Sequence, residues 1–82
     1  MTDTVTWLAG VDWAKTTHQV CLLDLAGKVI GERAFPHGGA GLAALCDWLR
    51  EKSGARPEEI AVAIEVPHGP IVETLLERGF VV

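Results

Sequence analysis

Two carboxylates, Asp12 and Glu65, stand at the ends of short strand-forming runs. Asp12 ends the run Val5–Asp12, and Glu65 directly follows the run Ile60–Ile64. If the two runs are neighbouring parallel strands, about 4.8 Å apart, the carboxylates converge within several ångströms. Two unit charges about 4 Å apart repel by roughly 4 kcal/mol at an effective dielectric constant of 20, so such a pair needs a proton or a cation. Hard divalent cations such as Mg²⁺ prefer carboxylate oxygens, which makes both acids candidate metal ligands.

Each acid taken singly also has a structural interpretation. Asp12 fits an Asx-turn at the end of its strand, and Glu65 fits the first residue of its segment to reach solvent. Both interpretations stay open, because the pairing of the acids depends on the order of the strands.

The first third of the chain is predicted to form three antiparallel strands. The strand-forming runs are Val5–Asp12, His18–Asp24 and Val29–Phe35. The polar break Trp13–Thr17 and the turn Ala26-Gly27-Lys28 connect them. Connections this short join antiparallel neighbours, so we expect a three-stranded meander.

Helical spacing begins after the segment 36–39, which contains one proline and two glycines. One apolar stripe follows the i, i+3, i+4, i+7 pattern of an amphipathic helix, with Trp48 at its border. The stripe consists of Leu42, Leu45, Cys46 and Leu49. Gly54 supplies the predicted end of this helix.

The run Ile60–Ile64 is apolar at every position, which is typical of a parallel strand covered on both faces. Gly69 and Pro70 are expected to begin a second helix, and Gly79 to end it. Its predicted inner face is formed by Ile71, Val72, Leu75 and Leu76. Phe80–Val82 reads as the start of another strand.

The predicted order β-β-β-α-β-α-β belongs to the α/β class with a mixed sheet. Right-handed crossovers would place the fourth strand beside the first and parallel to it. Because the sequence stops inside an apolar run, we expect residues 1–82 to be the N-terminal, incomplete part of a longer protein.

Composition restricts the function classes. Of the 82 residues, 49% are hydrophobic, and this content excludes a disordered chain. The chain carries 7 Lys+Arg against 11 Asp+Glu, which gives a formal charge of −4. Apolar runs are too short for a membrane span, and the N-terminus lacks the pattern of a signal peptide. The two cysteines, Cys21 and Cys46, lack zinc-ligand spacing and are expected to be buried in a reducing compartment, which indicates the cytoplasm. The acidic balance argues against a free-standing nucleic-acid-binding module.

Three stretches of the sequence together resemble a known family. The first stretch is Gly10-Val11-Asp12-Trp13-Ala14-Lys15-Thr16-Thr17-His18, followed by Asp24 and Gly27-Lys28-Val29. The second is Phe35-Pro36, followed by Gly41-Leu42 and Leu45. The third is Ala63-Ile64-Glu65, followed by Gly69 and Val72-Glu73-x-Leu75. Their order and spacing resemble the N-terminal domain of insertion-sequence-110-family DEDD transposases and of the related pilin-gene invertases. The resemblance covers nearly the whole chain.

The resemblance implies a ribonuclease H-like fold, similar to Holliday-junction resolvases, with Mg²⁺ or Mn²⁺ held by four acids in the order Asp, Glu, Asp, Asp. By matching position, Asp12 is the first acid and Glu65 the second. The last two aspartates and a C-terminal domain with a candidate serine nucleophile would lie beyond Val82. The usual Glu-x-Thr-Gly of the family reads Glu65-Val66-Pro67-His68-Gly69 here.

The implied activity is metal-dependent DNA strand cleavage and transfer during transposition of an insertion sequence. The implied partners are DNA and a guide-like noncoding RNA, and we expect the full-length protein to be a homo-oligomer without membrane attachment. The 82 residues alone, with two of four acids, are expected to bind metal weakly and to cut nothing.

Other residues near the acids receive weaker assignments. Lys15 either contacts a phosphate of the scissile DNA strand or balances the local acids. His18 is expected to be a structural residue at the start of the second strand. His37 and His68 lie in Gly/Pro-containing segments and are expected to be solvated, and Trp13 is expected to fill core or interface space beside the proposed metal site.

Two other functions stay open on the residues alone. Actin-like sugar kinases and ATPases also begin with an apolar strand, an Asp and a hairpin turn similar to Asp24-Leu25-Ala26-Gly27-Lys28. They generally have glycine immediately after the first Asp so that backbone amides can hold phosphate, whereas Trp13 follows Asp12 here. A noncatalytic module for assembly or RNA contact is the third reading.

Overall fold

A computed structural model describes residues 5–14, 16–64 and 69–82. Its elements in chain order are β1 (Trp7–Trp13), β2 (Thr17–Asp24), β3 (Val29–Pro36), α1 (Gly39–Ser53), a single 3₁₀ turn (Pro57–Glu59), β4 (Ile60–Ile64) and α2 (Pro70–Glu77). After α2, Val81 makes a parallel bridge to Ala61, and the N–H of Val62 donates to the carbonyl of Val81 over 2.7 Å. The predicted order of elements is thus confirmed, with the last strand present as this bridge.

The strands form one mixed sheet in the order β3-β2-β1-β4. β1 and β2 are antiparallel, as are β2 and β3, whereas β1 and β4 are parallel. The parallel ladder begins with Trp7 opposite Ile60 and ends with Val11 opposite Ile64. The predicted α/β class, the meander and the position of the fourth strand are all confirmed.

Both helices contribute to a single hydrophobic core on one face of the sheet. The α1 stripe is buried as predicted, and α1 ends at Gly54, whose φ of 69° is left-handed. In α2, Ile71 and Leu75 are buried, but Leu76 is 56% exposed, so its predicted place on the inner face is wrong. One residue turns a helix by about 100°, which carries Leu76 away from the line through Ile71 and Leu75. Neither helix of the described residues is long and apolar enough to cross a membrane.

The second face of the sheet is open in the described part of the chain. In β4, Ile60 and Val62 are buried under the helices, but Ala61 is half-buried and Ala63 is exposed. The prediction that β4 is covered on both faces is therefore wrong for the described residues. Cys21 also lies half-buried on this open face, whereas Cys46 is buried as predicted. A run that is apolar at every position shows that the side chains on both faces of the strand can be buried. It does not show that another element covers both faces.

The turn between β2 and β3 is held by the side chain of Asp24. Its Oδ1 accepts hydrogen bonds from the N–H groups of Ala26 and Lys28 at 2.9 and 3.0 Å. Gly27 supplies the positive φ of 87° that the turn requires. The turn chemistry thus accounts for Asp24 and Gly27 without a phosphate ligand.

The start of α1 passes very close to the end of β3. A Cβ built on Gly41 would lie 1.8 Å from the carbonyl oxygen of Pro36, a distance that no packing adjustment of side chains can relieve. At Gly39, two residues earlier in the same helix, a Cβ meets no atom within 4 Å. Of these two helix glycines, Gly41 is therefore the one that close packing requires.

We expect Gly41→Ala to lower the free energy of unfolding by at least about 2 kcal/mol, because the backbone clash outweighs the roughly 1 kcal/mol gain in helix propensity. Gly39→Ala, the matched control, should cause no loss. Urea denaturation of both variants measures the difference, and a Gly41→Ala variant as stable as the unmodified chain would contradict the close approach.

We expect Asp24→Ala to destabilise the chain by about 1 kcal/mol, because two turn N–H groups lose their acceptor. Glu51→Ala, which removes an exposed acid from α1, should change stability by less than about 0.5 kcal/mol. Denaturant midpoints of the two variants check this, and equal effects would show that the Asp24 carboxylate does not hold the turn.

Candidate functional site

Asp12 lies near the end of β1, on the open face of the sheet. The strand continues one residue further than predicted, to Trp13, and Asp12 pairs in register with Gln19 of β2. The Asp12 side chain is exposed. It borders an open depression of about 520 Å³, whose lining also includes the small residues Gly10, Cys21 and Ala63.

The residues that precede the two predicted acids are neighbours. Val11, before Asp12, is paired with Ile64, and Ile64 precedes Glu65 in the sequence. Glu65 itself, with Lys15 and His68, lies outside the described residues. The meeting of Asp12 and Glu65 therefore stays a prediction, as does the phosphate contact of Lys15.

The donor chemistry at this end of the sheet suits a hard cation. Asp12 presents carboxylate oxygens to solvent beside a depression with room for more ligands. Within residues 5–14, 16–64 and 69–82, no three or more His, Cys, Asp or Glu side chains come together as a metal-binding group. Asp12 alone among the described residues thus cannot form a closed metal site, and a divalent ion here requires further acids.

A cluster of three rings lies on the other face of the sheet, immediately beyond Asp12. The Trp13 and His18 rings are stacked, with centroids 3.5 Å apart and planes inclined by 9°. His18 Nδ1 accepts the N–H of Ala14 at 3.3 Å, and His18 Nε2 lies 3.1 Å from Nδ1 of His37. Trp13, His18 and His37 form the ring cluster, which ties the β1–β2 turn to the junction of β3 and α1.

His18 has the structural place that its sequence position suggested. It is fully buried, and burial together with the neighbouring His37 lowers its pKa from the ordinary value of 6.5. His37 is exposed, as expected for a solvated residue, but its contact with His18 was not foreseen. The pairing of β2 with β3 could have predicted this contact. Phe35 lies opposite His18, and His37 follows Phe35 by two residues, on the same side of the chain.

Comparison with known proteins identifies the family. The family model for DEDD transposases of the IS110 type, described as "Transposase", matches residues 9–82. The chain is 60% identical over 81 residues to "Putative transposase y4uE" of Sinorhizobium fredii, covering 98% of this chain and 23% of that protein. It is 34% identical over 73 residues to "Mini-circle putative transposase for IS117" of Streptomyces coelicolor, covering 89% of this chain and 18% of that protein. The chain thus spans less than a quarter of the length of these curated relatives, and it belongs to the IS110 family of DEDD transposases.

Proposed function

We propose that this chain provides the first two acids of a metal-dependent DNA-cleavage site in a longer transposase. Asp12 is the first acid and Glu65 the second, and the complete site holds Mg²⁺ or Mn²⁺. The observation that carries the proposal is the parallel pairing of β1 and β4, with Val11 opposite Ile64. Asp12 directly follows Val11 in the sequence, and Glu65 directly follows Ile64.

The alternation of side chains along a strand supports a shared face for the two acids. Gly10 and Asp12 of β1 both line the depression on the open face, and so does Ala63 of β4. Successive side chains of a strand point to opposite faces, so Glu65 would share the face of Ala63 if the alternation of β4 continued for one more residue. Adjacent strands are about 4.8 Å apart, which is close enough for both carboxylates to bind one ion.

The described residues around Asp12 leave room for a phosphate group. Gly10, Cys21 and Ala63 are small, and a Cβ added at Gly10 would meet no atom within 4 Å. A bound divalent ion supplies charge that polarises a scissile phosphate and stabilises the attacking or leaving oxygen. Asp12 contributes a ligand from a fixed strand, and Lys15, three residues further along the sequence, is the proposed contact to the DNA phosphate.

The sheet order supports a ribonuclease H-like architecture for this part of the transposase. An antiparallel meander is followed by a crossover strand that pairs with its first strand, in the order β3-β2-β1-β4. Because residues 1–82 carry a formal charge of −4, most of the affinity for DNA is assigned to other parts of the longer protein. Those parts would also supply the last two aspartates. A noncoding guide RNA, a homo-oligomeric assembly and a cytoplasmic location complete the proposal.

We expect Asp12→Ala and Glu65→Ala, made in a full-length transposase that carries this segment, each to lower Mg²⁺-dependent strand cleavage by about 10²–10³-fold or more, because each removes a ligand of the ion that stabilises the transition state. Cleavage of labelled element ends in Mg²⁺ and in Mn²⁺ measures the effect.

Glu51→Ala, on the exposed side of α1, is the matched control and should leave cleavage unchanged. Thermal melting of the three variants separates a lost ligand from a lost fold. Undiminished cleavage by either the Asp12 or the Glu65 variant would overturn the proposed function.

A further inference from the structure

We propose that His18 is a positioning residue for the turn that leaves Asp12, and that it holds this turn only while it and His37 are both neutral. The proposal rests on the hydrogen bonds and stacking of the ring cluster. Its consequence for catalysis rests on the proposed function of Asp12, but the hydrogen-bond arrangement can be tested without any activity.

Hydrogen-bond donors and acceptors in the cluster fit one arrangement of protons. A backbone N–H can only donate, so Nδ1 of His18 must present a lone pair to the N–H of Ala14. A neutral His18 then carries its proton on Nε2 and donates it to Nδ1 of His37. His37 in turn carries its own proton on Nε2, and each ring is thereby fixed in one tautomer.

An added proton has no place in this arrangement. A proton on Nδ1 of His18 would face the N–H of Ala14, and a proton on Nδ1 of His37 would face Nε2–H of His18 over 3.1 Å. Either event sets two donors against each other and removes a hydrogen bond. Protonation of the pair therefore loosens the turn.

Three contacts of the ring-cluster residues hold the chain that follows Asp12. Trp13, the residue after Asp12, stacks on His18, and Ala14 is held through its N–H. On the far side of the turn, the N–H of His37 donates to the carbonyl of Thr16 over 2.9 Å. His18 thus fixes the direction in which the backbone leaves Asp12, without being placed in contact with substrate.

Among the described residues, few ionisable groups bear on the charge of His18. Its register neighbours, Trp13 in β1 and Phe35 in β3, do not ionise. On the buried side of α1, burial raises the pKa of the Cys46 thiol, which therefore stays uncharged. The buried residues of α2 are aliphatic, and His37 is the neighbouring group that lowers the pKa of His18.

The lowered pKa fixes the sign of the effect. The folded chain binds a proton at His18 less readily than the unfolded chain does, so the stabilisation from neutral His18 is complete above the ordinary value of 6.5. It decreases as the pH falls from 6.5 towards the pKa of the folded chain. The turn should loosen in the same direction.

The test measures hydrogen exchange at the Ala14 amide by NMR, with rates corrected for the intrinsic effect of pH. Between about pH 8 and pH 5, we expect Ala14 to lose about fivefold in protection, the factor that one typical hydrogen bond gives. The Val62 amide, which donates to Val81, should show no such step. Long-range ¹H–¹⁵N spectra should show the Nε2–H tautomer in both rings at the higher pH.

Two substitutions of His18 distinguish positioning from simple packing. His18→Asn keeps an acceptor at the place of Nδ1 but does not titrate, so it should retain Ala14 protection and abolish its pH step. His18→Leu fills space without an acceptor and should expose the Ala14 amide at both pH values. Ile60→Val, at the opposite end of the β1–β4 ladder, is the control for a general loss of core packing.

His37→Ala keeps the test decisive if His18→Leu does not fold, because His37 is exposed. It should leave the core intact and speed solvent exchange of the His18 Nε2–H by about fivefold. Ala14 protection that is independent of pH in the unmodified chain, or equal in the Asn and Leu variants, would overturn the proposal. Loss of cleavage without a change at Ala14 would instead concern Asp12 and its proposed function.

Discussion

The parallel pairing of β1 with β4 is the constraint on which the rest of the molecule depends. It is the contact that joins the N-terminal meander to the second half of the chain within one sheet. The alternation of side chains fixes its register, because sliding β4 by one residue along β1 would turn the buried Val62 out of the core. The ladder ends with Val11 opposite Ile64, and the two predicted acids are the next residues in the sequence.

The two faces of the sheet carry different tasks. The covered face holds the hydrophobic core and, at one end, the ring cluster around the fully buried His18. The open face carries Asp12, Gln19 and the small residues that line the depression. Trp13 directly follows Asp12, so the two side chains point to opposite faces of the sheet. The packing of Trp13 therefore fixes the backbone position of Asp12.

Local patterns in the sequence were sufficient for the elements and for most of the core. The α1 stripe, the glycine at its end and the short hairpin connections are set by interactions within a few residues, so they could be predicted. The exposure of Ala63 and the contact of His37 with His18 could not, because both depend on what packs against a residue from distant sequence. Asp12 was predicted to be a metal ligand from its place at the end of a strand together with the family resemblance. The place alone was not sufficient, because an Asp at the end of a strand is equally consistent with an Asx-turn.

The most direct measurement is paramagnetic broadening of amide signals by Mn²⁺ in the 82-residue chain. If Asp12 and Glu65 share one ion, the amides of Asp12 and Ile64 broaden at lower Mn²⁺ than the amide of Glu51, and either Asp12→Ala or Glu65→Ala alone removes this preference. Preferential broadening at Asp12 that survives Glu65→Ala would show that the two acids do not meet. It would contradict the shared metal site.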